Sequence, residues 1–211
     1  MASRFLRQKV INGAGGLEPT PWMAVVVAAQ ACVPVLALGL RWYRGWREIL
    51  LYPQRFLVQE NWQGEDGVVH QGEEWHIGEA WEQGLLILSW SEIDPDGEQP
   101  ESHGLNVVIH EFAHKIDAAN GHADGYPPLH RDMNTPEWTK VFTHHYNNLV
   151  REVEAGHETD IDPYAATHPA EFFAVLSEYF FCDPPWLASR YPDLYQLLCR
   201  FYQQEPYIPR H

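Results

Sequence analysis

Hydrophobic positions in the second half of the chain recur mainly with a helical period. Apolar residues at three- and four-residue spacing predict an amphipathic helix from residue 105 that stops near an Asn-Gly pair at 120–121. Those positions are Leu105, Val108, Ile109, Phe112 and Ile116. Proline-marked starts and glycine or proline stops predict three further helices, at about 135–156, 169–182 and 193–204.

The first half is patterned differently. Gly84 to Trp90 reads GLLILSW, a short apolar run that predicts a strand. The preceding segment EEWHIGEAW, with Gly78 at its centre, predicts a second strand or a hairpin arm. A polar loop from Asp94 to His103, rich in turn-forming residues, separates this half from the helical one.

A few strands followed by several helices predict an α+β fold, mainly helical with a small sheet. We expect a single domain over residues 1–211. Residues 1–100 would supply N-terminal helices and the small sheet, and residues 101–211 a helical half that carries the functional motifs described below.

Trp22 to Leu40 forms an uncharged stretch of 19 residues, followed by the basic aromatic run RWYR. Its length and its flanks are typical of a short membrane span. Against this stand Gln30 and Pro34, and Pro34 would divide a helix into two shorter buried pieces. We therefore expect buried core, with a membrane span as the alternative.

Composition narrows the functional classes. Hydrophobic residues make up 45% of the 211, with nine Trp, ten Tyr and nine Phe, which indicates a compact protein. The net charge of −15 disfavours direct binding to nucleic acid. Cys32, Cys182 and Cys199 are odd in number and widely spaced, so neither a disulfide framework nor a thiolate metal site is expected. The N-terminal sequence MASRFLRQKV lacks a signal-peptide core, which favours the cytoplasm.

The first predicted helix carries the motif H-E-x-x-H, within NVVIHEFAHKID. Residues His110 and His114 are one turn apart on one helical face, so both imidazoles can bind the same zinc ion. Glu111 would take the proton of an attacking water on the open side of the metal. Lys115 is a charged departure from the apolar surroundings, and we expect its ammonium to extend to solvent.

A catalytic zinc site needs a third protein ligand, and spacing alone leaves several candidates. Asp117 shares the face of His110 and suits a supporting role, accepting from a ligand imidazole. His122 could return to the metal from beyond the Asn-Gly turn. Asn120 occupies the spacing of a metzincin's third ligand but is a poor zinc ligand, and Asp117 stands where that class needs glycine, so the metzincin pattern fails.

Two glutamates on the third predicted helix are further candidates. Glu171 and Glu178 are seven residues apart, and so share one face of an otherwise apolar helix. Acidic groups on such a face are costly unless a positive charge meets them, although a solvent edge would also explain them. Tyr164 could donate a hydrogen bond to a developing oxyanion, or simply pack with its hydroxyl in water.

Several of these segments resemble one known family. The segments HEFAHKID, DPYAATHPAEFFAVLSEYFF and FYQQEP look like the Mlc titration factor A family of bacterial zinc metallopeptidases, as do AAQACVPVLALGLRWYRGW and LLYP. The resemblance covers nearly the whole chain. It implies a zincin-like fold, similar to the catalytic domain of anthrax lethal factor, in which Trp22 to Leu40 is core.

The resemblance also implies a ligand set and roles. One zinc ion per chain would be held by His110, His114 and Glu171, with Glu111 as general base and Tyr164 as oxyanion donor. The Tyr-to-Glu spacing of seven is similar to that in anthrax lethal factor. Glu178 is then assigned to the supporting shell.

The function implied is that of a cytosolic aminopeptidase on small peptides that also binds the sugar-responsive transcriptional repressor Mlc. An extended peptide would lie along an edge strand at 85–90, by analogy with other zinc peptidases. The alternative is a zinc-containing protein that sequesters a transcription factor without catalysis. Neither nucleic acid nor membrane is expected as a direct partner.

Overall fold

The computed structural model describes residues 1–54, 58–63, 69–74, 84–95 and 106–207, and for 58–63 and 69–74 only the strand backbone. In chain order the elements are α1 (Ala2–Gln8), β1 (Val10–Gly13), α2 (Pro21–Cys32), β2 (Glu48–Tyr52), β3 (Val58–Gln63), β4 (Val69–Glu74), β5 (Leu85–Ser89), α3 (Trp90–Ile93), α4 (Val107–Asp117), α5 (Thr135–Glu154), α6 (Pro169–Cys182), α7 (Pro184–Arg190) and α8 (Pro192–Tyr202). Short 3₁₀ helices cover Leu40–Tyr43, Ala118–Asn120 and Pro163–Ala166. The predicted α+β fold, mainly helical with a small sheet, is confirmed.

The main sheet is parallel, with strand order β1-β2-β5. Alternate residues of β2 and β5 point into the core, because successive side chains of a strand face opposite sides. Ile49 and Leu51 of β2, and Leu86 and Leu88 of β5, are the buried ones. Strands β3 and β4 form a separate antiparallel pair. The strand predicted at 84–90 is confirmed as β5, whereas most of EEWHIGEAW lies outside the described residues.

The four predicted helices are confirmed as α4, α5, α6 and α8. Helix α4 begins after Asn106, whose side chain accepts from the Ile109 N–H. It ends in a 3₁₀ turn at Gly121, whose φ of 137° suits glycine. Helix α7 was not predicted, because the Pro-Pro pair after Asp183 favours a helix stop as readily as a helix start.

The apolar segment from Trp22 to Leu40 is mostly core, as expected, although Trp22, Val25 and Leu36 are exposed. Helix α2 ends at Cys32, two residues before Pro34, and the chain then turns into the 3₁₀ helix Leu40–Tyr43. Val27, Ala31 and several neighbours are fully buried. Among the described residues, no helix is long and apolar enough to cross a membrane. Cys32, Cys182 and Cys199 are free thiols, and only Cys32 is buried.

Aromatic side chains join the helices that carry the predicted site residues. Helix α4 packs on α6, and α8 packs on both α5 and α6. Trp138 of α5 stacks on Phe142 at a centroid distance of 4.0 Å. Fully buried rings fill the space between these helices: Phe112, Trp138, Phe173 and Phe201. Side chains packed this densely leave the helix pair little freedom to shift.

Lys9 is a buried cation at the end of α1 that binds the segment between the 3₁₀ helix Leu40–Tyr43 and β2. Its ammonium donates to the carbonyl oxygens of Tyr43 and Trp46, each at 2.6 Å, and lies 3.3 Å from the centroid of the Trp46 ring. Burial, with the nearby charges of Lys115 and Arg47, lowers the pKa of Lys9 to about 7. The contribution of Lys9 to the stability of the fold therefore depends on pH.

Lys9→Met is expected to destabilise the protein by about 2 kcal/mol at neutral pH, because two carbonyl groups lose their donor. Between pH ~7 and pH ~10 the unfolded chain keeps the Lys9 proton and the folded chain releases it, so the stability of the wild type rises with pH relative to the variant. Urea unfolding at both ends of that window measures this. Arg7→Met, an exposed position of α1, is the matched control, and equal losses in both variants would contradict the prediction.

Candidate metal centre

Three side chains from α4 and α6 converge between the two helices. The Nε2 atoms of His110 and His114 are 3.1 Å apart, and the Glu171 Oε2 atom lies 2.9 Å from the first and 3.4 Å from the second. The His114 side chain is fully buried, and those of His110 and Glu171 are only slightly exposed. In the described part of the chain, these three residues form the group that could hold a metal ion.

The spacing and chemistry of the three atoms fit a divalent cation. Tetrahedral zinc with bonds of ~2.0–2.1 Å places its ligand atoms about 3.3 Å apart, close to the distances observed here. The Nδ1 atom of His110 faces the Glu178 Oε1 atom at 2.8 Å. When Nδ1 donates that hydrogen bond, the lone pair of Nε2 points at the other two ligand atoms. Three electron-rich atoms facing one another are stabilised by a cation between them.

The protonation equilibria agree with a site that attracts positive charge. Burial works to lower the pKa of His110, but hydrogen bonds with Glu171 and Glu178 outweigh it and raise that pKa well above its ordinary value. Burial lowers the pKa of His114 to about 4, which keeps this imidazole in the neutral form that binds metals. Burial opposes ionisation of Glu171, yet hydrogen bonds from both histidines hold its pKa far below the usual range.

Glu178 connects α6 to the beginning of α4. Besides contacting His110, its second oxygen accepts the backbone N–H of Asn106 at 2.6 Å. Asn106 is the residue that caps α4. The carboxylate is therefore held from two sides, and it fixes the orientation of the His110 ring.

Glu111 and Tyr164 lie beside the three converging atoms. Glu111 is fully buried, and its negative charge contributes to the pKa values of His110 and Tyr164. Tyr164 stands in the 3₁₀ helix Pro163–Ala166, with its ring centroid 6.2 Å from that of His110 and its side chain about half exposed. Partial burial, the charges of Glu171 and Glu111 and a hydrogen bond to Glu171 raise the pKa of Tyr164 well above 10. The phenol is thus a protonated, accessible donor.

Comparison with known proteins identifies the family. The family described as glucose-regulated metallo-peptidase M90 matches residues 1–203. The chain belongs to this family. Similar proteins include Mlc titration factor A from Yersinia pestis (strain Pestoides F) and from Yersinia pseudotuberculosis (serotype O:1b, strain IP 31758). Each is 43% identical over 210 residues, covering 98% of this chain and 76% of the relative.

Membership of the M90 family confirms the resemblance drawn from the sequence motifs. A metallopeptidase family implies a metal ion, and His110, His114 and Glu171 are the residues that could bind it. Of the alternatives that spacing left open, His122 is exposed beyond the Gly121 turn and is not in this group.

Asp117 of this M90 chain contacts a backbone group. The carboxylate is fully buried at the end of α4 and accepts the Gly125 N–H at 2.6 Å. Burial raises the pKa of Asp117 to about 7, although the N–H of Gly125 works in the opposite direction. The predicted contact with a ligand imidazole stays a prediction.

The expectation for Lys115 was wrong. Its side chain does not reach solvent but is 95% buried, since its relative exposure is 5%. The ammonium donates to the Leu85 carbonyl oxygen of β5 at 3.1 Å and lies 5.2 Å from the centroid of the Trp46 ring. The signal was present in the sequence, because Lys115 follows Val108 and Phe112 at helical spacing and so shares their buried face. In this M90 chain, Lys115 links the HExxH helix to strand β5.

Proposed function

We propose that the protein is a zinc-dependent peptidase. The observation that carries the proposal is the convergence of His110, His114 and Glu171 beside the buried carboxylate of Glu111. Zinc bound by these three residues would supply Lewis-acid chemistry, polarising the scissile carbonyl and lowering the pKa of water. Two histidines and one carboxylate leave a coordination position open, as catalysis requires.

Glu111 handles the proton in this proposal. It follows His110 directly on α4, so its carboxylate lies next to the metal ligands without being one of them. It accepts a proton from the attacking water and delivers it to the leaving amine. The charge of Glu111 helps to raise the pKa of Tyr164, so the two groups are close enough to interact electrostatically. Glu178 keeps the His110 ring oriented while the proton moves.

Tyr164 is proposed to donate its hydroxyl proton in a hydrogen bond to the oxyanion that forms at the attacked carbonyl. Tyr164→Phe should lower kcat about 100-fold and leave zinc content unchanged, because the phenol stabilises charge that develops only in the transition state. Steady-state kinetics with metal analysis tests this. Tyr191→Phe, which removes a hydroxyl at the junction of α7 and α8, is the control. A Tyr164→Phe variant with wild-type kcat would remove the phenol from the mechanism.

The substrate is proposed to be a small peptide, cleaved from its N-terminus. Among the described strands, β5 ends the sheet order β1-β2-β5, which offers backbone groups to an extended peptide. Lys115 of α4 donates to the Leu85 carbonyl oxygen of β5 and so fixes the position of this strand relative to α4. Preference for chain ends rests on the resemblance to the family.

A second role is proposed for the same chain. The similar Yersinia proteins are named Mlc titration factor A, which supports binding of a Mlc-like repressor here as well. Such a repressor acts in the cytoplasm, the compartment that we propose for this protein. We also propose that residues 1–211 form one domain. The competing possibility is a zinc-containing binding protein without catalysis.

The deciding experiment measures zinc content by elemental mass spectrometry together with hydrolysis of matched peptides with free and acetylated N-termini. About one zinc per chain and cleavage of the free peptides alone would support the aminopeptidase. Cleavage of both peptides would support an endopeptidase. One zinc without any hydrolysis, combined with repressor binding, would favour the non-catalytic alternative. No zinc in the wild type would contradict the metal site.

A further inference from the structure

A buried carboxylate at the end of α4 holds the loop that leads to α5. Asp117 is the last residue of α4, and its Oδ2 atom accepts the Gly125 N–H at 2.6 Å. Burial raises the pKa of Asp117 to about 7, and the Gly125 N–H only partly offsets this. A fully buried carboxylate is costly unless a donor meets it, and the Gly125 N–H is the loop group that does so.

Gly125 of the same loop also lies against Pro169, the first residue of α6. Gly125 has a φ of +79°, and a Cβ atom added there would lie 2.4 Å from the Pro169 carbonyl oxygen. Real Cβ atoms essentially never come that close to another atom, so the backbones of Gly125 and Pro169 are in direct contact. Glu171 follows two residues later, in the first turn of α6.

Helices α4 and α6 therefore run antiparallel, with a set of contacts between them at each end. At one end Glu178, late in α6, accepts from Asn106 and contacts His110 near the start of α4. At the other end Asp117, the last residue of α4, holds Gly125 against Pro169, the first residue of α6. The converging atoms of His110, His114 and Glu171 lie between these two sets of contacts.

We propose that Asp117 is a positioning residue that acts through Gly125 and Pro169 to set Glu171 at its distance from the two histidines. This inference rests on the proposed metal site. Both histidines belong to α4, so their mutual distance is fixed within one helix. Glu171 comes from the other helix, and its position depends on how the start of α6 is held. Asp117 thus contributes to metal affinity without contacting the metal ligands.

Zinc affinity, measured by competition with a chelator, tests this proposal. Asp117→Ala and Gly125→Ala should each weaken zinc binding roughly 10- to 100-fold, as loss of supporting contacts typically does. In cobalt-substituted protein both variants should change the visible spectrum, because Glu171 would be displaced. Asp117→Asn keeps an acceptor oxygen and should recover most of the affinity. The control is Asn120→Ala, which removes an exposed amide that donates to the Tyr126 carbonyl in the same loop.

Wild-type zinc affinity and an unchanged cobalt spectrum in folded Asp117→Ala and Gly125→Ala would overturn the inference. Should these variants fail to fold, hydrogen exchange in the wild type gives an independent test. Zinc should slow exchange of the amides at 123–126 more than of those at 143–150 in α5, because coupling between two sites is reciprocal. Equal exchange with and without zinc at 123–126 would overturn the inference. A wild type that binds no zinc would overturn the proposed function itself, and this inference with it.

Discussion

Glu111→Gln is expected to retain zinc and to lose peptide hydrolysis by about 100- to 10,000-fold, the usual contribution of a general base. The amide has nearly the shape of the carboxylate but cannot accept the proton of an attacking water. Glu111 does not belong to the group of His110, His114 and Glu171, so zinc content should stay near the wild-type level. Measurement of kcat/KM and of zinc in the same preparation separates the two effects.

The control for this change is Glu137→Gln on α5. Glu137 is exposed and pairs with Arg200 at 2.8 Å on the surface, where an ion pair contributes little stability. This variant should keep wild-type zinc and activity. Turnover at the wild-type rate in Glu111→Gln would exclude Glu111 as the base. Loss of zinc in that variant would instead mean that the carboxylate helps to hold the metal.

Local patterns predicted the helices well and the sheet poorly. Helix α4 has an apolar face and a glycine stop within a few turns of sequence, so its existence and approximate extent could be predicted locally. Strands β1 and β2 are four and five residues long, too short for a clear period. They become strands through distant parallel pairing, as between Glu48 of β2 and Leu85 of β5. Such pairing leaves no local signal.

The same difference between local and distant information applies to the site. His110, Glu111 and His114 lie within one helical turn, so spacing alone brought them together. The third proposed ligand comes from another helix, and spacing alone left Glu171 among several candidates until the family resemblance favoured it. The antiparallel packing of α4 and α6 places it beside both histidines.

Two buried contacts were beyond sequence reasoning for different reasons. The helical spacing of Lys115 indicates its burial, but its partner could not be predicted, because the position of the Leu85 carbonyl depends on where β5 lies. The partner of Asp117 was missed because Gly125 becomes an N–H donor only after the loop folds back on α4. In both cases the sequence shows the charged residue but does not show which group compensates its burial.

The second large effect is expected from comparing the two glutamates of α6. Glu171→Ala should lose zinc on dialysis, since two histidines alone do not form a complete site. Glu178→Ala should retain zinc with an affinity about 10- to 100-fold weaker, because it removes a contact to His110 and not a ligand. Elemental mass spectrometry after dialysis, followed by chelator competition, measures both changes.

The contrast depends on which imidazole nitrogen each carboxylate faces. Glu171 faces Nε2 of His110, the atom that also faces His114, whereas Glu178 faces Nδ1 on the opposite side of the ring. A metal bound at the first nitrogen is out of reach of the second carboxylate. Retention of zinc by Glu171→Ala together with its loss from Glu178→Ala would therefore reverse the two roles and place the metal on the Nδ1 side of His110.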